Sequence, residues 1–150
     1  MARKSDRQIE HLLRRAGFGA RPDELDTYRI RRSGVDVLRA LATMPPGNVL
    51  SSAEFGNYVP AYTHHRVYVG HWFLTPDFVQ RAQEALAAVS GRVSAEQLGA
   101  LVDAQRIRYL VVPAQNAASF ASALGARVTR TTPVGEFAIL VLEPAPTPSR

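Results

Sequence analysis

Apolar residues near the N-terminus recur at the spacing of one helix face. The first such stripe consists of Ile9, Leu12, Leu13 and Ala16. Gly17 follows it at a position where helices commonly end. Pro22 lacks the amide hydrogen that the first turn of a helix leaves unpaired, so it predicts the start of a second helix. A third helix is predicted over 35–43, just before Pro45-Pro46-Gly47.

After residue 44 short apolar strands alternate with amphipathic helices. Strands are predicted over 48–52, 66–72, 106–112, 127–132 and 136–142. Helices are predicted from Thr75-Pro76 to Val89, from the capping-box pair Ser94 and Gln97 onward, and over 117–124. In the second strand, Val67 and Val69 are expected to face the same way. The continuous apolar run Tyr109–Val112 predicts a central strand that is buried on both faces.

This alternation predicts an α/β fold. We expect a three-layer sheet with helices on both faces and an antiparallel C-terminal hairpin, because only Pro133-Val134-Gly135 joins the last two strands. A short helical N-terminal segment precedes it. The expected divisions are a helical appendage (1–43), an α/β domain (44–143) and a disordered, proline-rich tail (144–150). The pattern leaves the strand order open.

The positive charge lies mainly at the N-terminus. Of the formal net charge of +5, residues 1–40 carry ten Lys/Arg against six Asp/Glu, which gives +4. Residues 41–150 carry eight against seven, which gives +1. A basic segment can contact nucleic acid or anionic lipid, but a solvated helix face is the preferred interpretation. Since no nucleic-acid motif accompanies the arginines, we do not expect nucleic acid as a partner.

Several classes of protein are disfavoured by what the sequence lacks. Without Cys there is no disulfide, thiolate metal site or Cys nucleophile. No apolar run reaches 18 residues, and the start of the chain is charged, so we expect neither a membrane span nor an export signal within it. The common nucleotide-binding, metalloprotease and serine-hydrolase motifs do not occur.

The candidate chemistry is concentrated in the stretch 56–72, "GNYVPAYTHHRVYVGHW", which holds three Tyr, three His and the only Trp. Aromatic rings stack on sugar faces, and polar groups bind sugar hydroxyls. The candidate ligand-binding residues are Glu54, Asn57, Tyr58, Tyr62, His71 and Trp72. The alternative is that they fix a long loop and pack against another part of a larger protein.

We expect no metal, no cofactor and no catalytic residue in this chain. The adjacent His64 and His65 would point to opposite faces of a strand, and no carboxylate stands at a recognised spacing from them or from His71. Ser51 and Ser52 lack the strand–turn–helix context of a hydrolase nucleophile. They are expected to cap helices or close turns.

Residues 44–143 resemble a known domain. The runs "MPPGNVLSSAEFGNYVPAYTHHRVYVGHWFLTPDF", "RIRYLVVP" and "GEFAILVLE" are similar to the soluble C-terminal domain of polytopic membrane glycosyltransferases that use polyprenyl-phosphate sugars. The resemblance implies an extracytoplasmic location at a bacterial membrane, with a membrane-embedded partner, a glycan or a polyprenyl phosphate as binding partner. The catalytic carboxylate of that family has no counterpart here, so the resemblance implies a non-catalytic accessory domain.

Residues 7–41 resemble a different family. "RQIEHLLRRAGFGARPDELDTY", most specifically His11–Gly19, is similar to the start of the bacterial domain-of-unknown-function 1800 proteins. The alternative function is therefore a fragment or fusion of that family that binds a partner through its basic helices. A natural fusion, a misassembled reading frame and a built chimera all fit, and the oligomeric state is open.

Overall fold

The computed structural model describes residues 31–143, with side chains from residue 34 onward. The elements in chain order are α1 (Arg31–Ala42), β1 (Asn48–Leu50), α2 (Ala53–Gly56), α3 (Val59–Tyr62), β2 (Arg66–Val67), α4 (Phe78–Val89), α5 (Ala95–Ala104), β3 (Ile107–Pro113), α6 (Ala117–Leu124), β4 (Val128–Val134) and β5 (Phe137–Leu142). Turns of 3-10 helix, Ala114–Asn116 and Gly125–Arg127, flank α6. The first two predicted helices and the predicted tail lie outside the described residues. Among those described, no helix is both long and apolar enough to span a bilayer.

The five strands form one sheet in the order β2-β1-β3-β5-β4. β1 runs parallel to both β2 and β3, whereas β5 runs antiparallel to β3 and β4. The predicted C-terminal hairpin is therefore confirmed. β3 lies in the middle of the sheet, where its neighbours satisfy the backbone on both sides.

Helices cover both faces of the sheet, so the predicted three-layer α/β fold is confirmed. The first core lies under α4, α5 and α6, whose buried residues include Ala88, Val102 and Phe120. The second core lies under α1, α2 and α3. β3 contributes to both cores, because Leu110 and Val112 face the first and Tyr109 and Val111 the second.

α1 belongs to the same packed body as the sheet. Val37, Leu38 and Leu41 are buried on the second core, which places residues from both sides of the expected 43/44 division in one cluster. The described part of the predicted appendage is thus in contact with the sheet. The division itself stays a prediction that truncation can test.

The second predicted strand, 66–72, is wrong in its length. Only Arg66–Val67 forms a strand, although Tyr68 N–H still donates to Val49 O at 2.9 Å. Val67 is half-buried against the second core, whereas Val69 lies in the first core, so the two valines do not share a face. The chain leaves the ladder where the backbone of Val69 and Gly70 comes close to that of Gly56.

The start of α4 also differs from the prediction. The helix begins at Phe78, and Asp77 occupies the N-cap position with a left-handed φ of 52°. Thr75 does not cap the helix, because its Oγ1 accepts the Gly70 N–H at 3.2 Å. By contrast, the capping box of α5 is present as predicted, with Gln97 N–H bonded to Ser94 Oγ and Ser94 N–H bonded to Gln97 Oε1.

Candidate ligand-binding site

The carboxyl ends of the three parallel strands meet at one edge of the sheet. After β1 the chain turns to α2 and α3 on the second core, and after β3 it turns to α6 on the first core. Neighbouring parallel strands whose chains leave toward opposite faces form the crevice in which open α/β sheets usually bind ligands. Two segments flank this crevice, Ser51-Ser52 after β1 and Ala114–Asn116 after β3.

Two glycines bring the segment after β1 against the segment after β2. A Cβ at Gly56 would lie 2.0 Å from Val69 O, and a Cβ at Gly70 would lie 3.1 Å from Gly56 O. Only glycine allows the backbones to approach this closely. Asn57 follows Gly56 and His71 follows Gly70, so both residues come directly after this close backbone contact.

The chain after Gly70 forms a single tight turn, His71–Leu74, which we call the aromatic turn. The amides of Leu74 and Thr75 both donate to His71 O at 3.0 Å, and Phe73 N–H donates to His71 Nδ1 at 3.2 Å. Together with the bond from Gly70 N–H to Thr75 Oγ1, these contacts fix the backbone. The turn is therefore a defined local structure whose backbone is fixed by hydrogen bonds.

Three large apolar side chains of this turn face solvent. Trp72 is 66% exposed, Phe73 75% and Leu74 78%. The His71 and Trp72 rings stack at 5.8 Å with an angle of 30°, and the Trp72 and Phe73 rings meet edge to face at 5.6 Å. Contiguous exposed apolar surface of this kind commonly marks a binding surface.

The six residues proposed from the sequence fall into two groups. Glu54, Asn57 and Trp72 are exposed and His71 is half-buried, so all four side chains reach solvent. Tyr58 and Tyr62 are half-buried and pack on the second core. The aromatic residues of the stretch 56–72 thus lie partly in the core and partly at the surface.

Sequence reasoning missed Phe73 and Leu74. It treated Trp72 as the end of a strand, so the residues that followed were assigned to a connection. The signal was present, because three large apolar residues in succession, Trp72-Phe73-Leu74, break the alternation expected of a strand with one wet face. Thr75-Pro76 directly after them indicated a turn.

His65 has a structural position. It is buried, its Nδ1 accepts the Gly47 N–H at 3.1 Å, and its Nε2 therefore carries the hydrogen that is donated to Leu41 O at 2.7 Å. Its ring meets Tyr109 edge to face at 4.8 Å. Neighbouring His64 is exposed. No group of three or more potential metal-binding side chains occurs within the described part of the chain.

The serines considered as nucleophiles serve the backbone, as predicted. Ser52 Oγ accepts the Phe55 N–H at 3.4 Å and caps α2, while Ser51 Oγ donates to Ser52 O at 3.1 Å. Asp77 lies at the start of α4. Among the described residues, none of these groups has a hydrogen-bond partner that would activate a nucleophile.

A buried tyrosine behind the aromatic turn makes a polar contact that the sequence did not reveal. The Tyr68 hydroxyl donates to Glu84 Oε2, and Gln80 Nε2 donates to Glu84 Oε1 at 2.8 Å. Burial, followed by the bond to Glu84, raises the pKa of Tyr68 to about 12. The same hydrogen bond from Tyr68, followed by that from Gln80, lowers the pKa of the Glu84 carboxyl. The contact ties α4 to the chain after β2.

No family model, curated protein or solved structure matches this chain. The resemblance of residues 44–143 to the glycosyltransferase domain stays a prediction, as does that of residues 7–41 to the unknown-function family. The alternative function rests on basic residues that lie mostly outside the described part.

Proposed function

We propose that this chain is a non-catalytic accessory domain that binds a sugar or a polyprenyl-phosphate sugar carrier at a membrane surface. The aromatic turn makes the contact. The observation that carries the proposal is the exposure of Trp72, Phe73 and Leu74 on a turn whose backbone is fixed by hydrogen bonds. A fixed turn loses little conformational entropy when it binds, which favours recognition over random apolar exposure.

The chemistry of the turn suits a ligand with both apolar and polar parts. The Trp72 and Phe73 rings offer faces for sugar stacking or contact with an isoprenoid chain. The polar His71 ring stacks on Trp72, and Asn57, the residue after Gly56, is exposed. Trp is also enriched at the interface between bilayer and water. The proposed setting is the extracytoplasmic face of a membrane, next to a membrane-embedded partner that supplies the catalytic groups.

An accessory role is supported by what the polar side chains do. Ser51, Ser52 and His65 are each engaged in hydrogen bonds that hold local backbone. Groups in such bonds are not poised to abstract a proton from a ligand or to attack it. Ligand binding by the aromatic turn requires no such step.

Trp72 is the only Trp of the chain, so intrinsic fluorescence reports on the aromatic turn alone. The test titrates the protein with vesicles of phosphatidylcholine and phosphatidylglycerol, with and without added polyprenyl phosphate, and separately with soluble mannose oligosaccharides. We expect a saturable blue shift with at least one probe, because binding removes water from the indole. Comparing the probes separates the lipid carrier, the bare bilayer and the sugar.

Two variants make the test specific. Phe73→Ser and Leu74→Ser should each weaken binding while leaving the melting temperature close to that of the parent, since both side chains are exposed. Leu86→Ser is the matched control, because Leu86 is 48% exposed on α4, well outside the turn. No saturable change with any probe, or an equal effect of Leu86→Ser, would refute the proposal.

A further inference from the structure

A second cleft lies at the opposite edge of the sheet, where β1 and β3 begin and β5 ends. Its volume is about 380 Å³, and the residues that give it chemistry are Asn48, Arg106, Arg108, Thr129 and Glu143. This volume is within the range of small-molecule pockets. The cleft shares no residue with the aromatic turn.

Three backbone irregularities converge on this cleft. Asn48 pairs with Ile107 and Val49 with Tyr109, so Arg108 is an extra residue on β3. Val128 pairs with Leu142 and Arg130 with Val141, so Thr129 is an extra residue on β4. Bulges re-aim side chains, and they are found more often than expected next to active sites.

The third irregularity is at Arg106, which has a left-handed φ of 50° directly after the end of α5. Glycine is the usual residue there, because a Cβ is strained in this conformation. An arginine in its place lowers stability, and its side chain reaches the cleft. Residues held in strained conformations cluster at functional sites.

The bulge at Arg108 has a visible effect on the strand. Ile107 faces the first core, but Tyr109 faces the second, although residues two apart on a regular strand share a face. The extra residue therefore lies outside both cores, and Arg108 is exposed. Its side-chain stem covers Gly47, where an added Cβ would lie 2.8 Å from Arg108 Cδ.

The charges of the cleft favour an anion that also carries hydroxyl groups. Arg106 and Arg108 supply guanidinium donors, and within residues 34–143 neither is paired with a carboxylate. Asn48 Nδ2 donates to Gln105 O at 2.9 Å, and the side-chain carbonyl oxygen of Asn48 can accept a hydrogen bond from a ligand hydroxyl. Glu143 repels an anion but accepts hydrogen bonds from hydroxyls. We propose that the cleft binds the phosphate ester of a small hydroxylated molecule.

Parallel sheets usually bind ligands at their carboxyl edge, so this cleft lies at the less common edge. The two bulges and the backbone of Arg106 are what favour it. The proposal is independent of the function assigned to the aromatic turn.

The test follows backbone amide NMR shifts of the whole chain during titration with glucose 1-phosphate, inorganic phosphate and glucose. We expect saturable shifts at Asn48, Arg108, Thr129 and Glu143 with glucose 1-phosphate, weaker binding of inorganic phosphate and none of glucose. Loss of one guanidinium should weaken binding of glucose 1-phosphate about tenfold, since a charge-assisted hydrogen bond contributes that much.

The variants separate binding from stability. Arg106→Gly removes the guanidinium but suits the left-handed backbone, so it should weaken binding while the protein melts at the same or a higher temperature. Arg108→Met removes the guanidinium but keeps an apolar stem over Gly47. Arg92→Met, at an exposed arginine after α4, is the control and should bind like the parent. Glu143→Gln should reduce the preference for glucose 1-phosphate over inorganic phosphate.

Three results would overturn this assignment. One is the absence of saturable shifts with glucose 1-phosphate. Another is unchanged binding in both Arg106→Gly and Arg108→Met. The last is equal affinity of the parent protein for glucose 1-phosphate and inorganic phosphate, which would remove the hydroxylated part of the ligand class.

Discussion

His65 joins three parts of the chain that are distant in sequence. It bonds to Gly47, 18 residues earlier, and to Leu41, 24 residues earlier, and it packs on Tyr109. These bonds link the end of α1 to the start of β1. A buried donor or acceptor that loses its partner lowers stability by about 1 to 3 kcal/mol.

We therefore expect His65→Ala to lower the free energy of unfolding by about 2 to 4 kcal/mol, because Gly47 N–H and Leu41 O both lose their partner. His64→Ala changes the exposed neighbour and should stay within about 0.5 kcal/mol of the parent. Urea unfolding of the two variants measures the difference. Similar losses in both would mean that the buried position of His65 contributes little.

The close backbone contact at Gly56 leads to a second prediction. Gly56→Ala places a Cβ 2.0 Å from Val69 O, so the backbones must separate and stability should fall by about 1 to 3 kcal/mol. Gly99→Ala is the matched control. It lies inside α5, where the new Cβ would meet Arg127 Cζ at an ordinary 3.6 Å, and better helix propensity should raise stability by about 0.5 to 1 kcal/mol. Thermal melts of both variants decide the sign.

The Tyr68–Glu84 bond predicts how stability depends on pH. The pKa of Tyr68 is raised from 10.0 to about 12 in the folded state, so its stabilising effect is complete below pH 10 and is lost as the pH rises toward 12. The lowered pKa of Glu84 affects stability at acidic pH. Its stabilising effect is present above the pKa of Glu84 in the unfolded chain, and it is lost as the pH falls through the pKa of Glu84 in the folded protein.

Tyr68→Phe should therefore flatten the stability profile at both extremes of pH. Chemical unfolding across the pH range gives the profile, and the ultraviolet absorbance of phenolate gives the pKa of Tyr68 directly. Because other tyrosines also ionise, the signal assigned to Tyr68 is the part that the variant removes. An unchanged profile in Tyr68→Phe would contradict the coupling.

For single residues, the sequence predicts the hydrogen bonds whose two partners lie close together along the chain. The Ser94–Gln97 capping box was predictable because both partners lie within one helical turn. The bonds of His65 and Tyr68 were not, because their partners are brought together only by the tertiary fold. The two site residues missed, Phe73 and Leu74, depended on where β2 ends, and the chain beyond β2 packs against Gly56, which is distant in sequence.

Among the elements, β3 is the one on which the others depend. It pairs with β1 on one side and β5 on the other, and it supplies side chains to both cores. Val111→Asp places a charge in the second core, where an unpaired buried charge costs about 3 to 5 kcal/mol. Total stability is about 5 to 15 kcal/mol.

We expect Val111→Asp to abolish the cooperative melt or to lower its midpoint sharply, as circular dichroism would record. Thr131→Asp makes a charged substitution at an exposed position of β4 and should melt close to the parent. A cooperative transition for Val111→Asp near the parent temperature would contradict the central position of β3.

Elements with strong, uninterrupted patterns were predicted well. β3, α6 and the hairpin stand within one or two residues of their predicted bounds, since an apolar run, a helix stripe and a short turn each define themselves locally. The segment 53–65, between two predicted strands, was expected to be a loop but contains α2 and α3. One-turn helices of this kind are stabilised by packing, which a sequence pattern of four residues cannot reveal.

For the whole molecule, the main question is where the folded unit begins. Val37, Leu38 and Leu41 of α1 are buried on the second core, and burial of three such side chains contributes about 5 to 9 kcal/mol. A chain that begins at residue 44 should therefore lose cooperative unfolding and bind a hydrophobic dye. A chain that begins at residue 31 should melt as one unit.

Calorimetry of these two truncated chains tests the expected 43/44 division. A cooperative, dye-free unit from residue 44 would support a separable appendage. The strand order and the crevice between β1 and β3 arise at this scale, because they depend on pairings between strands far apart in sequence. Local patterns could predict the layers but not the order of the strands within them.

The two outer strands of the described sheet carry a consequence for self-association. β2 is two residues long, and β4 holds Arg130 and Pro133, features that hinder the addition of another strand. Backbone hydrogen bonding between the edge strands of two molecules is thus disfavoured at both edges of the sheet. Concentrated solutions should resist fibril growth even when the exposed indole and phenyl rings draw molecules together, so any such clustering should reverse on dilution.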